Sequence, residues 1–237
     1  MRIERCGDRA FLLRLGDRPD AALSRRIAML RQRLVQARPA GLDDAVGGFV
    51  TLLVMFDPDI TTASALCDIA RELMPRDDED TSARTWTLPV CYDPGMAPDL
   101  PDVAAAVGMS TDDVVRLHTS RRYTVYLIGF SPGFPYLGDV DTRLMLPRRA
   151  DPRPRVPAGS VAIATAYTAV YPQETAGGWH LIGRTPVRLF DATAPSPALL
   201  QAGDNVCFQT VTLAEYDSLR AKVAAGSYMP QCIERAT

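Results

Sequence analysis

The spacing of apolar residues divides the chain into two regions of different character. Near the start, Phe11, Leu13 and Leu15 alternate with their neighbours and Gly7-Asp8 interrupts the run, which predicts two short strands between positions 3 and 15. Leu23, Ile27, Leu30 and Leu34 then recur at helical spacing, and Pro39 and Gly41 end that helix. Positions 49–56 form a continuous apolar run closed by Asp57-Pro58, which predicts a buried strand. Leu66, Ile69 and Leu73 mark one face of a second helix, stopped by Pro75. The charged run from Arg76 to Asp80 carries no apolar residue and reads as a solvated linker. Residues 1–82 are therefore expected to form a small N-terminal α+β domain.

From Ala83 the pattern changes to short apolar runs separated by many turns. Strands are expected at 85–92, 123–130, 159–164, 166–171, 179–182, 187–190 and 204–211. Helices are expected at 100–107, ended by Gly108, and at 110–118 and 212–225. Ser110-Thr111-Asp112-Asp113 and Thr212-Leu213-Ala214-Glu215 both have the form of a capping box. Periodicity alone reaches a mostly β unit with helices, either a barrel or a sandwich.

Composition narrows the function classes. A net charge of −2 gives no reason to expect nucleic acid as a partner. The opening MRIERCGDRA is charged from its second residue, unlike a secretory signal. No apolar run approaches the ~18 residues of a membrane span. The cysteines Cys6, Cys67, Cys91, Cys207 and Cys232 are scattered and form no CxxC, and only His118 and His180 accompany them. No metal site is expected, and a reducing cytoplasm is the expected location. Lys222 is the only lysine and follows no glycine-rich loop, so the chain has neither a P-loop nor a kinase-type strand lysine. It also lacks the Met-Lys-Met context of a biotin carrier. ATP or biotin would therefore enter with another chain.

Candidate chemistry concentrates between Gly129 and Pro186, where Gly, Pro, Arg and aromatic residues crowd together as they do in shaped loops. Arg148, Arg149, Arg153 and Arg155 lie within eight residues, offset only by Asp151 and spaced by Pro152 and Pro154. Guanidinium groups held at fixed spacing suit a carboxylate or phosphate. Arg155 is favoured, because it directly precedes the turn Val156-Pro157-Ala158-Gly159-Ser160, where backbone N–H groups and the Ser160 hydroxyl could meet a ligand. No GxSxG surrounds Ser160 to make it a nucleophile. Phe130, Phe134, Tyr136, Tyr171 and Trp179 either wall a pocket, with Gly133 and Gly178 permitting close approach, or plug the ends of a barrel. Arg184 is a further pocket charge. His118 is either a catalytic imidazole or a packed, hydrogen-bonded residue.

The motifs GFSPGFPYLG, then PRxxxPRxRVPAGSVAIA, then YP with GGWxLIGRTP, resemble the family of 5-oxoprolinase B subunits, also called allophanate hydrolase subunit 1 and KipI. The chain is similar to one half of the carboxyltransferase domain of urea carboxylases. The segment 89–130 and the opening GDRAFLLRLGD fit the same pattern. The resemblance implies a cyclophilin-like β-barrel for residues 83–237, with a C-terminal helix. It implies a non-autonomous subunit that hydrolyses 5-oxo-L-proline to L-glutamate with ATP and separate A and C subunits, the latter carboxyltransferase-like. The alternatives are a KipI-type inhibitor of a sensor histidine kinase, or a subunit of an allophanate- or urea-type amide hydrolase or carboxyltransferase. On this reading His118, Arg155 and Ser160 are the catalytic candidates. Phe130, Pro132, Gly133, Phe134, Tyr136, Arg148, Tyr167, Tyr171, Trp179 and Arg184 are the binding candidates. Tyr167 stands where the family usually has glutamine, and Thr165 and Ala169 where it usually has glycine, which bears on the substrate.

Overall fold

The alternating residues of the first region form strands in the computed structural model, which describes residues 2–76 and 83–233. The chain divides into two units, Met1–Thr81 and Ser82–Thr237. In the first, β1 (Arg2–Arg5) and β2 (Ala10–Arg14) make a hairpin, followed by α1 (Ala21–Ala37), β3 (Leu42–Gly47), β4 (Thr51–Phe56) and α2 (Ala63–Glu72). The sheet order is β1-β2-β4-β3. Phe11, Leu13, Leu52 and Val54 pack from the sheet against Ile27, Leu30, Leu34 and Leu66 from the helices. Asp20 and Thr62 cap α1 and α2 by accepting from the backbone N–H groups of Leu23 and Ala65. Strand β3 was not expected. It lies at the sheet edge with Asp43 and Asp44 exposed and only Ala45 buried, so its apolar signal is weak. The acidic part of the expected linker, 77–80, falls outside the described residues.

The second unit runs β5 (Thr85–Val90), α3 (Leu100–Val107), α4 (Thr111–Thr119), β6 (Arg122–Ile128), β7 (Pro135–Leu137) and β8 (Arg153–Val156). It continues with β9 (Ser160–Ala164), β10 (Tyr167–Val170), β11 (Thr175–Gly177), β12 (His180–Arg184), β13 (Asn205–Thr210), α5 (Leu213–Ala224) and β14 (Gln231–Ile233). Eight strands form one mixed sheet in the order β12-β9-β10-β7-β6-β13-β5-β14, and β11 and β8 form a separate ribbon. Both expected helix caps are present. Thr212 and Glu215 make the reciprocal box, and Ser110 accepts from the N–H of Asp113.

The sheet does not close into the expected barrel. β14 pairs along Thr85–Thr87 of β5, and β13 takes the other edge of that strand, so both edges are engaged. β12 can meet this end of the sheet only beyond β5, in an isolated two-hydrogen-bond bridge between Cys91 and Arg184. The expected strand at 187–190 is also absent. Val187 and Leu189 are buried as the apolar pattern requires, but only Phe190 bridges, to Ala198. The Arg-Pro-Arg segment read as loop is strand β8, where its one proline, Pro154, is tolerated at the edge of a two-stranded ribbon.

Alternation along the strands sorts side chains onto two faces. Val161, Ile163, Val170, Leu137 and Ile182 join the main core with α3 and α4. Ala162, Ala164, Ala169, Phe134, Tyr171 and Leu181 form a second cluster on the other face, covered by Val156 of β8. Three alanines there leave room for the large rings.

A buried carboxylate joins the helical side to the ribbon side. Asp99, 2% exposed, stands at the start of α3 but makes no side-chain cap. It accepts from Arg153 through both terminal nitrogens at 2.8 and 2.6 Å, from Arg149 Nη1 at 3.1 Å, and from the Leu181 N–H at 2.7 Å. Burial alone would raise this carboxyl, but the Arg153 hydrogen bonds, the Leu181 N–H and the nearby guanidinium charges bring it below the usual range. Asp99→Asn should therefore destabilise the protein by about 3 kcal/mol at pH 7, the usual cost of leaving buried charges without their partner. Because the folded-state value is depressed, this contribution is present above the unfolded value of about 4 and is lost as pH falls through the folded value. Urea denaturation of both proteins should give a gap that narrows below about pH 4. A gap that stays constant to pH 2 would show that the carboxylate charge is not what stabilises this region.

Candidate functional site

The aromatic residues picked out by sequence do come together on the second face of the sheet. β7 supplies Tyr136, the loop before it Phe130 and Phe134, β10 Tyr167, and the segments flanking β11 supply Tyr171 and Trp179. Phe134 sits at the centre, edge-on to Tyr136, Tyr171 and Trp179 with ring centroids 5.1, 5.1 and 6.0 Å away. Tyr136 in turn meets Trp179 at 5.9 Å and Tyr167 at 6.3 Å, and Tyr167 meets Tyr126 at 6.1 Å. Edge-to-face contacts of this kind fix ring orientation as well as burying area.

The cluster grades from buried to open. Phe134, Tyr171 and Trp179 are buried, Tyr136 and Tyr167 are half-buried, and Phe130 is 63% exposed. Phe130 packs edge-on against Phe134 at 5.3 Å and holds a left-handed backbone, φ 69°, which a bulky residue adopts only under constraint. The turn that follows through Pro132 and Gly133 is closed by a hydrogen bond from the Phe134 N–H to the Ser131 carbonyl. Gly177 covers the Tyr171 hydroxyl so closely that any Cβ there would overlap it.

The four arginines separate into different roles. Arg149 and Arg153 are spent on Asp99. Arg155 points outward, its side chain 82% exposed, with Glu174 4.0 Å away. Arg148 alone lies over the aromatic surface, its guanidinium carbon 6.0 Å from the Trp179 ring centroid. Burial raises the Tyr136 hydroxyl, with Arg148 pulling the other way, and raises Tyr171 to about 12. Burial and then the Asp139 charge raise Tyr167. At neutral pH these phenols keep their protons and can donate hydrogen bonds.

Other expected residues lie elsewhere in the unit's framework. Two backbone N–H groups of the Val156–Ser160 turn are committed, Gly159 to the Tyr171 carbonyl and Ser160 to the Pro157 carbonyl. Gly159 has φ 81°, and a Cβ there would collide with the Thr185 carbonyl oxygen. Ser160 is buried, and Arg184 donates from Nε to the Ala158 carbonyl at 3.0 Å, pinning the same turn. His118 has no exposed surface; its ring stacks on Phe208 at 4.6 Å and both nitrogens are hydrogen-bonded, to Tyr92 and Thr168. Burial lowers its pKa to about 3, so the ring is neutral across the physiological range.

Sequence reasoning missed Asp99, because Asp before Leu-Pro reads as an ordinary helix start. It also missed Tyr126 and Asp139, which are joined by a 2.8 Å hydrogen bond beside Tyr167. Among the described residues no group of His, Cys, Asp and Glu is arranged to hold a metal ion, and no helix is long and apolar enough to cross a membrane. A half-buried pair of phenols and one cation on an aromatic floor is suited to a small ligand carrying a carboxylate and an amide.

The comparisons with known proteins agree with the motifs. The family described as carboxyltransferase domain, subdomain C and D, matches residues 1–200. A Bacillus subtilis protein named as the B subunit of 5-oxoprolinase is 34% identical over 230 residues, covering 92% of this chain and 96% of its own. The Escherichia coli O157:H7 protein of the same name is 40% identical over 203 residues, covering 85% and 92%. Among solved structures, TTHA0988 superposes with a TM-score of 0.78 at 38% identity over 86% of this chain, which spans 40% of the length of that protein. The urea amidolyase of Kluyveromyces lactis superposes at 0.77 over 98% of this chain, but at 21% identity and over 16% of that protein, a likeness of fold alone. With near full-length matches at 34% and 40% identity, the chain belongs to the carboxyltransferase subdomain C and D family and, within it, to the family of 5-oxoprolinase B subunits.

Proposed function

We propose that this chain is the B subunit of an ATP-dependent 5-oxoprolinase, hydrolysing 5-oxo-L-proline to L-glutamate together with partner A and C subunits. The observation that carries the reading is its agreement, over almost the whole of both chains, with the Bacillus subtilis protein of that name. Carboxyl or amide transfer on a urea-type substrate is a second reading, and only the fold shared with urea amidolyase and urea carboxylase favours it. The five free cysteines suit a reducing cytoplasm, where we place the protein. We take residues 1–82 and 83–237 as its two domains.

Opening the lactam requires water to add at the ring carbonyl, the carbonyl carbon–nitrogen bond to break, and the departing nitrogen to gain a proton. In this reading ATP supplies the drive by phosphorylating the amide oxygen, with ADP leaving then and phosphate leaving after water has added. The absence of a P-loop or kinase-type lysine, Lys222 being the only lysine, supports a partner as the chain that binds it. In this chain, Arg148 pairs with the substrate carboxylate. Tyr136 and Tyr167 donate hydrogen bonds to the ring carbonyl, and Phe134 and Trp179 form a dry floor that strengthens those contacts.

Two outcomes are expected. The purified chain alone should release no glutamate from 5-oxo-L-proline and ATP, whereas co-expression with a carboxyltransferase-like partner should give a heteromer that co-elutes on size exclusion. ATP-dependent turnover by the isolated chain would end the subunit reading. In the assembled complex, Arg148→Ala should raise KM about ten- to a hundredfold, the usual effect of removing one side of a charge-assisted pair. Arg155→Ala, whose exposed pairing with Glu174 contributes little, should change KM by less than about threefold. Equal effects from the two substitutions would mean that the anion is not held at Arg148.

A further inference from the structure

The buried chain of hydrogen bonds through His118 has a direction that its end point dictates. The Ala162 carbonyl can only accept, so the Thr168 hydroxyl, 3.0 Å away, gives its single proton there. Thr168 Oγ1 must then be the acceptor in its 2.9 Å contact with His118 Nε2, which therefore carries the ring proton. The bare Nδ1 accepts from the Tyr92 hydroxyl at 2.8 Å. The chain runs Tyr92, His118, Thr168, Ala162, with every donor and acceptor matched. The Tyr123 hydroxyl, donating to the His118 carbonyl at 2.8 Å, fixes the backbone of α4 at the same point.

Thr168 faces the main core, as Val170 of the same strand does, and is flanked by Tyr167 and Ala169 facing the aromatic side. It pairs with Ile163 of β9 and with Leu137 of β7, the residue after Tyr136. The β10–β7 register rests on this one pair. A strand held at Thr168 is therefore held at the position that sets Tyr167 beside Tyr136.

We infer that His118 is a positioning residue: through Thr168 it locks β10 against β7 so that the Tyr167 and Tyr136 phenols stand together over the aromatic floor. This explains why an imidazole with no exposed atom lies one residue behind the candidate site, with no route to a substrate. Its effect on turnover rests on the proposed function; its effect on the two phenols does not.

The test compares Thr168→Val, which keeps the branched shape and removes the hydroxyl, with Thr168→Ser, which keeps the hydroxyl. In 3-fluorotyrosine-labelled protein, Thr168→Val should shift or broaden the fluorine signals of Tyr167 and Tyr136 but not that of Tyr216 in α5. Thr168→Ser should restore both. In the assembled complex Thr168→Val should raise KM for 5-oxo-L-proline about tenfold with a smaller change in kcat, and Thr168→Ser should stay within about twofold of wild type. Unmoved Tyr167 and Tyr136 signals in a folded Thr168→Val protein would overturn the inference. Should that variant not fold, nitrogen NMR of the wild-type imidazole decides: a protected Nε2–H tautomer supports the inference, and an Nδ1–H tautomer overturns it. A wild-type complex that releases no glutamate would end the proposed function and leave the fluorine comparison to decide this inference.

Discussion

The Asp99 carboxylate holds three segments in place at once. Its two oxygens take both terminal nitrogens of Arg153, one nitrogen of Arg149 and the Leu181 N–H, while its own backbone N–H donates to the Leu181 carbonyl. The start of α3, the arginine-rich segment and β12 are thus joined at a single buried point. A charge so far from water is tolerable only when its lone pairs are filled by well-placed donors, and here four hydrogen bonds do so. With Arg149 and Arg153 committed, the neighbouring Arg148 is left on the aromatic side and Arg155 on the open side of β8. The division of labour within the cluster follows from which side chains reach Asp99.

The candidate site itself is a consequence of strand alternation. Along β10, Tyr167 and Ala169 face the aromatic cluster while Thr168 and Val170 face the main core, and β9 repeats the pattern with Ala162 and Ala164 against Val161 and Ile163. Small residues on one face leave space that Phe134, Tyr171 and Trp179 fill. Polar groups on the other face, Thr168 and His118, are fully buried and fully paired, which makes them rigid supports. In the proposed function, a rigid layer beneath a half-open aromatic layer would hold a small substrate at fixed geometry.

Much of this was legible in the sequence, and the gaps have physical reasons. Helices α1 and α2 announce themselves through apolar spacing and the prolines that stop them, and α4 and α5 through the cap patterns at Ser110 and Thr212. Strands β7, β11 and β14 have only three residues each, too short for alternation to register, and β8 is written in Arg and Pro. The apolar run at 187–190 misleads because burial alone does not make a ladder. The expected closed barrel fails at β14, a short strand that takes the edge of β5. Within the candidate site, the aromatic residues could be read from composition around Gly and Pro, whereas of the four arginines the sequence favours Arg155, and it is Arg148 that lies over Trp179. Asp99 could not be, since its partners lie 50 and 54 residues away.

The most direct test of this account is a double-mutant cycle on Asp99 and Arg153, measuring unfolding free energy for wild type, Asp99→Asn, Arg153→Gln and the double variant at pH 7. If the carboxylate organises the second unit as described, the two residues should couple by about 2 kcal/mol or more, within the range for groups sharing one buried network. A coupling below about 0.5 kcal/mol, the level found for independent sites, would contradict it.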